Sequence, residues 1–199
     1  MSKANKSNKA IKYRLYPNDE QKVMFAKTFG CCRFVYNQLL ALQKQRYKDG
    51  ESHLSKLKSN EFATRTLKKD YDFLKEIDKF AVSNAVFHLA DAYDRFFKKQ
   101  NHFPKFKSKR KSKKSYTTNF TNNNILIGKN VIKLPKVGMV KAVIHKLPKD
   151  DWKLKSVTVS QDGVGNYFAS VLFEYEQEDI PSVSKSSTPG KALGDNVKL

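Results

Sequence analysis

Residues 103–124 read FPKFKSKRKSKKSYTTNFTNNN, a nearly unbroken cationic run followed by ten residues without a charge. Lys98, Lys99, Lys105, Lys107, Lys109, Arg110, Lys111, Lys113 and Lys114 have the chemistry to neutralise phosphates and release their condensed counterions. The ten residues that follow, Ser115–Asn124, offer hydroxyls and amides for phosphate, 2′-hydroxyl or base-edge oxygens. Tyr116 and Phe120 offer ring faces on which bases stack. The same ten residues also fit a turn-rich strand edge, since Asn clusters favour turns on their own account. A third group lies in KFAVSNAV, where Lys79, Ser83 and Asn84 fall off the apolar stripe near a helix start, a place that favours phosphate. Periodicity alone reads that face as solvent-exposed.

The whole chain agrees with a polyanionic partner. It carries 39 Lys and Arg against 19 Asp and Glu, a net charge of +20 over 199 residues. Such an imbalance points to nucleic acid or an anionic membrane surface. An aromatic content of 12% supplies enough rings for a core. No apolar run approaches the roughly 20 residues of a membrane span, and the polar N-terminus has no apolar signal core. The expectation is a soluble, intracellular protein, cytoplasmic and associated with the nucleoid. Cys31 and Cys32 are adjacent and belong to no zinc-type spacing, and the four histidines are scattered. No paired-carboxylate spacing for Mg²⁺, no GxSxG and no P-loop occurs.

Several elements must position these groups. Ile11, Tyr13 and Leu15 alternate with Lys12, Arg14 and Tyr16, which predicts a strand ending at Pro17. Asn18 with Gln21 forms a capping-box pattern, and Asp19 and Glu20 suit the first turn of the helix it opens. Gly30 predicts a break, with a second helix from about Cys31 to Lys48 stopped by Asp49-Gly50. A weaker helical pattern spans 54–69. The strongest follows Asp78, with Val82, Val86, Leu89 and Tyr93 on one stripe. From Arg95 to Lys149 there are sixteen Lys and Arg and no acid. Residues 98–114 read as a loop. Beyond Tyr116 the period becomes two, with candidate strands NILIG, NVIKL, GMVKAVIHKL, LKSVTVSQ and NYFASVLFEYE and a DGVGN hairpin turn. The fold class is α+β, a β-barrel interrupted by a helical bundle.

YRLYPNDEQ, FGCCRFVYNQLL, EIDKFAVSNAVFHLADAYDRFFKK, FPKFKSK, SYTTNFTNNN and IKLPKVGMVK resemble, in order and spacing, the N-terminal half of the TnpB (OrfB) proteins. These are transposon-encoded RNA-guided DNA endonucleases, often described as transposases with a helix-turn-helix domain. The resemblance covers about residues 8–176. It implies an oligonucleotide-binding-type wedge β-barrel interrupted by a helical recognition domain, followed in the family by a RuvC-like nuclease with a zinc ribbon. Carried over, the expected divisions are a first wedge strand at 1–17, a recognition domain at 18–99, a basic loop at 100–114, the rest of the wedge at 115–178 and a tail at 179–199. The implied partners are a guide-type RNA and double-stranded DNA. Asn8, Lys79, Phe80, Ser83, Tyr116, Thr121 and Asn122 match positions that contact nucleic acid in the family. Ser83 stands where a larger amide is common in the family, and the resemblance leaves the DNA motif read here open.

The departure is at the end. GKALGDNVKL offers Leu193, Gly194 and Asp195 but lacks the apolar residue that precedes the family's first metal-binding Asp. The expectation is a chain truncated before the nuclease, with no catalytic or metal site of its own. Mg²⁺ and Zn²⁺ belong only to the missing part. The alternatives are a stand-alone repressor or accessory binder, or half of a split nuclease whose other half is encoded separately.

Overall fold

The structure, a computed structural model, describes residues 5–177. Strand β1 (Asn5–Tyr16) leads into helix α1 (Asp19–Lys48). Short turns follow: α2 (Lys56–Glu61), a π-helical turn (Phe62–Leu67), α3 (Lys68–Asp70) and a 3-10 turn (Asp72–Lys75). Helix α4 (Lys79–Phe97) precedes β2 (Lys114–Asn119), β3 (Leu126–Ile127), β4 (Val131–Leu134), β5 (Gly138–Val143), β6 (Lys153–Gln161) and β7 (Tyr167–Gln177). The strand–helices–strands order matches the sequence pattern.

Helix α1 starts as its sequence predicts. The Asn18 side chain accepts from Gln21 N, and Gln21 Oε1 accepts from Asn18 N. Gln21 also donates Nε2 to the Met139 carbonyl at 2.8 Å, tying the helix start to β5. The break expected at Gly30 does not occur, and α1 runs uninterrupted for 30 residues. A glycine inside a helix costs about 1 kcal/mol relative to alanine. The stripe Phe25, Phe29, Cys32, Val35, Tyr36, Leu39 and Leu40 is buried on both sides of it. Each such side chain contributes about 1.5–3 kcal/mol on burial, so packing overrides the local preference.

All seven strands pair antiparallel in the order β2-β6-β7-β1-β5-β4-β3. Ile11, Tyr13 and Leu15 of β1 are buried, as the alternation predicts. The long β1 pairs with β7 from Asn5 to Leu15 and with β5 only at Arg14–Tyr16. The sheet does not close into the expected barrel. Its edges are β2 and the two-residue β3. The free edge of β2 is met instead by α4, where Asn84 Nδ2 donates to the Thr117 carbonyl at 3.0 Å. A helix covering an edge satisfies the backbone groups that a neighbouring strand would otherwise take.

Candidate nucleic-acid interface

The N-terminus of α4 is built by its cap. Asp78 is buried, and one carboxylate oxygen accepts from Ala81 N at 3.2 Å and from the fully buried Thr118 hydroxyl at 2.7 Å. The first bond caps α4, and the second fastens it to β2, forty residues later. Asn84 adds a further bond, from Nδ2 to Asn119 Oδ1. Beyond β2 the chain turns at Thr121–Asn124. There Asn124 Oδ1 accepts from Thr121 N and Asn124 Nδ2 donates to the Asn119 carbonyl. Asn122 and Asn123 both take the left-handed conformation, which Asn tolerates better than most residues. Asn124 holds the turn, so the exposed Asn122 side chain is left to face outward.

A cleft of about 410 Å³ results, lined by Lys79 and Phe80, by Thr121 and Asn122, and by Lys68, Lys75 and Lys136 from elsewhere. Lys75 pairs with Asp72. Lys68, Lys79 and Lys136 have no ion pair among the described residues. Burial lowers the pKa of Lys68, and neighbouring Lys79 and Lys136 push the same way against the attraction of Asp78. The Lys79 ammonium lies 5.1 Å from the Phe80 ring centroid. Lys136 occupies the Pro135–Lys136 turn between β4 and β5 with φ +65°, a conformation glycine adopts without steric cost. Three cations without ion pairs, the N-terminus of a 19-residue helix and the outward Asn122 amide therefore face one open space. That arrangement suits a phosphate chain.

Four of the expected residues, Lys79, Phe80, Thr121 and Asn122, thus come together. Ser83 is half-buried on α4, one turn from Lys79, and does not line the cleft. Asn8 is exposed on β1 opposite Glu174, on a different part of the sheet. Tyr116 requires a correction. Its side chain is 2% exposed, packed at 6.3 Å and 5.9 Å from the Phe25 and Phe29 ring centroids. It faces inward on β2 with Thr118, so it is a core ring and no base can stack on it. Phe120 is exposed, just past the end of β2.

The basic segment is more tightly held than a repelled loop. Asn37 of α1 donates Nδ2 to the Lys107 carbonyl and accepts from Lys107 N, at 2.9 and 2.8 Å. The Lys107 ammonium sits 4.0 Å from the Tyr36 ring centroid, and burial lowers its pKa. Lys107 is therefore packed onto α1 and is not a free phosphate contact. Ser108 and Ser112 close the next turn. Lys114 donates to Gln161 Oε1. Lys98 ends α4 and Lys99 is left-handed. Lys98, Lys99, Lys105, Lys109, Arg110, Lys111 and Lys113 remain exposed without ion pairs among the described residues.

One surface escaped the sequence reading. Opposite the buried Tyr116, Val157, Val159, Ala169 and Val171, the sheet presents Ser115, Thr117, Thr158, Ser160 and Ser170. The Thr117 and Thr158 hydroxyls are 2.8 Å apart. Alongside, Lys12 and Arg14 lie 4.2 and 5.0 Å from the Phe168 ring centroid. The signal was present as a hydroxyl at every second position in KSYTTN and KSVTVSQ. Asp195 lies outside the described residues. Among the described residues no group of His, Cys, Asp and Glu is placed to hold a metal, and no helix is long and apolar enough to cross a membrane.

Fold and site together define a strongly basic α+β protein in which an open antiparallel sheet and a helical insertion share one cationic cleft. Residues 7–52 match the OrfB helix-turn-helix domain family. In the structure that window holds most of β1 and all of α1, a single unbroken helix. The chain is 31% identical over 168 residues to a Streptomyces pristinaespiralis protein, covering 83% of this chain and 41% of that one. It is 29% identical over 174 residues to InsQ of Escherichia coli K12, covering 84% and 40%. Both bear the name "putative RNA-guided DNA endonuclease". Virulence protein VsdF of Salmonella dublin is 32% identical over 111 residues, covering 51% of this chain and 93% of that protein. The chain belongs to the TnpB/OrfB family of transposon-associated proteins. It spans about two fifths of the length of the two endonuclease-named relatives.

Proposed function

We propose that this chain grips nucleic acid for a TnpB-type system, seating the backbone of target-adjacent duplex DNA in the cleft at the start of α4 and holding a guide-type RNA on its remaining basic surface. In this reading the sheet is the oligonucleotide-binding-type wedge and the helical insertion the recognition domain. The observation that carries it is the convergence of Lys68, Lys79 and Lys136 with Asn122 at one helix N-terminus. The cleft's one carboxylate, Asp78, is turned inward by its bonds to Ala81 and Thr118. The names of the two longer relatives support RNA and DNA as partners.

Cleavage is assigned to none of the described residues. Phosphodiester hydrolysis of this kind needs carboxylates fixed around divalent ions. The 199-residue chain should bind without cutting when Mg²⁺ is supplied.

Fluorescence anisotropy with labelled duplex DNA tests the binding. If about six to ten phosphates are engaged, affinity should fall roughly 10³–10⁵-fold between about 50 and 200 mM salt. Lys79→Gln and Lys136→Gln should each flatten the salt slope by about 1. Lys136→Gly should also weaken binding while stabilising the fold by about 1 kcal/mol, because glycine relieves the left-handed turn. A flat salt response would overturn the proposal. So would full affinity in the Lys79 and Lys136 variants.

A further inference from the structure

A second cleft lies at the far end of the helical insertion, away from the start of α4. It measures about 600 Å³ and is walled by Tyr47 of α1, His53 of the following loop, Tyr93 and Phe97 of α4, and Phe103. That volume falls within the range of sites that enclose small ring systems. Tyr93 forms the buried floor, with His53 edge-on to it at 4.5 Å and Phe97 near-parallel at 6.1 Å. Phe103 closes the side, edge-on to Tyr93 and Phe96. Tyr47 is 85% exposed and Phe97 63% exposed. So much exposed ring surface in one place marks an interaction site.

The charge at its mouth says which kind. Lys44 and Lys48 line the cleft, and the Lys44 ammonium stands 5.4 and 4.8 Å from the Phe103 and Phe106 ring centroids. Glu51, the one carboxylate in the lining, is engaged by Arg46. Lys98 and Lys99 follow Phe97 directly. Rings inside and cations without ion pairs among the described residues outside are complementary to a nucleotide, with its flat base and anionic backbone. An apolar peptide would leave the cations without partners. Duplex DNA keeps its bases stacked inside, whereas folded RNA presents them unpaired in loops and bulges.

We propose that this cleft seats an unpaired base of a folded RNA, stacked on Phe97 and Tyr47, with Lys44 and Lys48 on the flanking phosphates. The proposal rests on the nucleic-acid reading and assigns the RNA a contact separate from the α4 cleft.

The test uses the full chain and an RNA hairpin with 2-aminopurine in a single-nucleotide bulge. The same hairpin without the bulge and a bulged DNA hairpin serve as the other two arms. The bulged RNA should bind about 10-fold or more tighter than the fully paired one, and its fluorescence should be quenched on binding. Tyr47→Ala and Phe97→Ala should each remove most of that preference and the quenching, with paired-RNA affinity and salt dependence unchanged. Tyr47 is too exposed for its loss to unfold the protein, and far-UV circular dichroism checks both variants. Equal affinity for bulged and paired RNA would overturn the proposal, as would a preference that survives in both variants. An equal preference for the DNA bulge would overturn the assignment to RNA. A change in sedimentation on Tyr47→Ala would mean that a second copy covers the cleft, which also overturns it. Loss of binding to every nucleic acid would instead defeat the wider reading.

Discussion

The joint between α4 and β2 can be taken apart by substitution at Asp78 and Thr118. Asp78→Ala removes a helix cap, which costs about 1 kcal/mol. It also removes the acceptor of a hydrogen bond to a charged group, a contribution of about 1.5–3 kcal/mol, and strands a hydroxyl that is 0% exposed. The expected loss is about 3 kcal/mol. Thr118→Val keeps the shape and the cap and loses only the cross-element bond, for about 1.5 kcal/mol. The double variant leaves no hydroxyl stranded, so it should lose about 3 kcal/mol, well short of the sum of the singles. A coupling of about 1–2 kcal/mol is what contacting residues show. Asp78→Asn retains acceptor and cap and should cost less than about 1 kcal/mol. It also removes a negative charge from among Lys68, Lys79 and Lys136, so polyanions should bind it more tightly. Urea unfolding followed by far-UV circular dichroism gives the four stabilities, with a shared slope required for the comparison. Additivity within about 0.5 kcal/mol would refute the joint. Weaker polyanion binding by Asp78→Asn would refute the electrostatic account of the cleft.

Gly30→Ala should stabilise the protein by about 0.5–1 kcal/mol in urea unfolding, because an added Cβ meets nothing within 4 Å; a loss of stability would mean that α1 bends there. Burial pushes the Cys31 thiol up to about 11 and the Cys32 thiol to about 12, from 9.0. At pH 8 Cys31 therefore holds about 100-fold less thiolate than an ordinary cysteine. Iodoacetamide should label both residues only after unfolding, as read by mass spectrometry. Lys107→Gln should leave the salt slope of DNA binding unchanged, because its side chain is packed on Tyr36, burial lowers its pKa and its main chain is tied to Asn37. Lys109→Gln, Arg110→Gln and Lys111→Gln should together flatten the slope, by as much as about 1 for each phosphate no longer neutralised.

The parts of the fold that were legible in sequence are those set by local pattern. β1 shows in the alternation of Ile11, Tyr13 and Leu15, α1 in the reciprocal cap of Asn18 and Gln21, and α4 in the stripe from Val82 to Tyr93. Gly30 misled because a breaker competes with tertiary packing that only the assembled core reveals. β2 was legible only as one of two readings of Ser115–Asn124, the turn-rich strand edge that the structure bears out, because its inward residues are Tyr116 and Thr118, and a buried threonine is acceptable only with the Asp78 carboxylate that comes forty residues earlier. Closure of the barrel misled for a related reason, since Asn84 of α4 occupies the edge. Ring composition could not separate a stacking face from a core face, which is why Tyr116 was ambiguous. Of the cleft, Lys79, Phe80, Thr121 and Asn122 were legible. Lys68 and Lys136 were not, because one lies in a weak helical stretch and the other in a hairpin turn.

The position of the cleft follows from the topology. The helical insertion leaves the sheet after β1, an interior strand beside β5, and returns through the edge strand β2, three strands away. Both crossings are fastened by side chains. Gln21 bonds the start of α1 to β5, and Asp78 and Asn84 bond the first turns of α4 to β2. Lys68 and Lys79 belong to the insertion, Asn122 to the turn after β2, and Lys136 to the turn before β5. Lys79, Asn122 and Lys136 therefore each sit within a few residues of a fastening. Three lysines facing one space repel each other, and a flexible chain would relieve that by moving them apart. Here Asp78 resists such separation twice over, as the cap that fixes the helix end and as a carboxylate that attracts Lys68. The same carboxylate that assembles the joint thus makes a cluster of unpaired cations tolerable in the absence of a partner, and leaves most of their charge for an incoming phosphate.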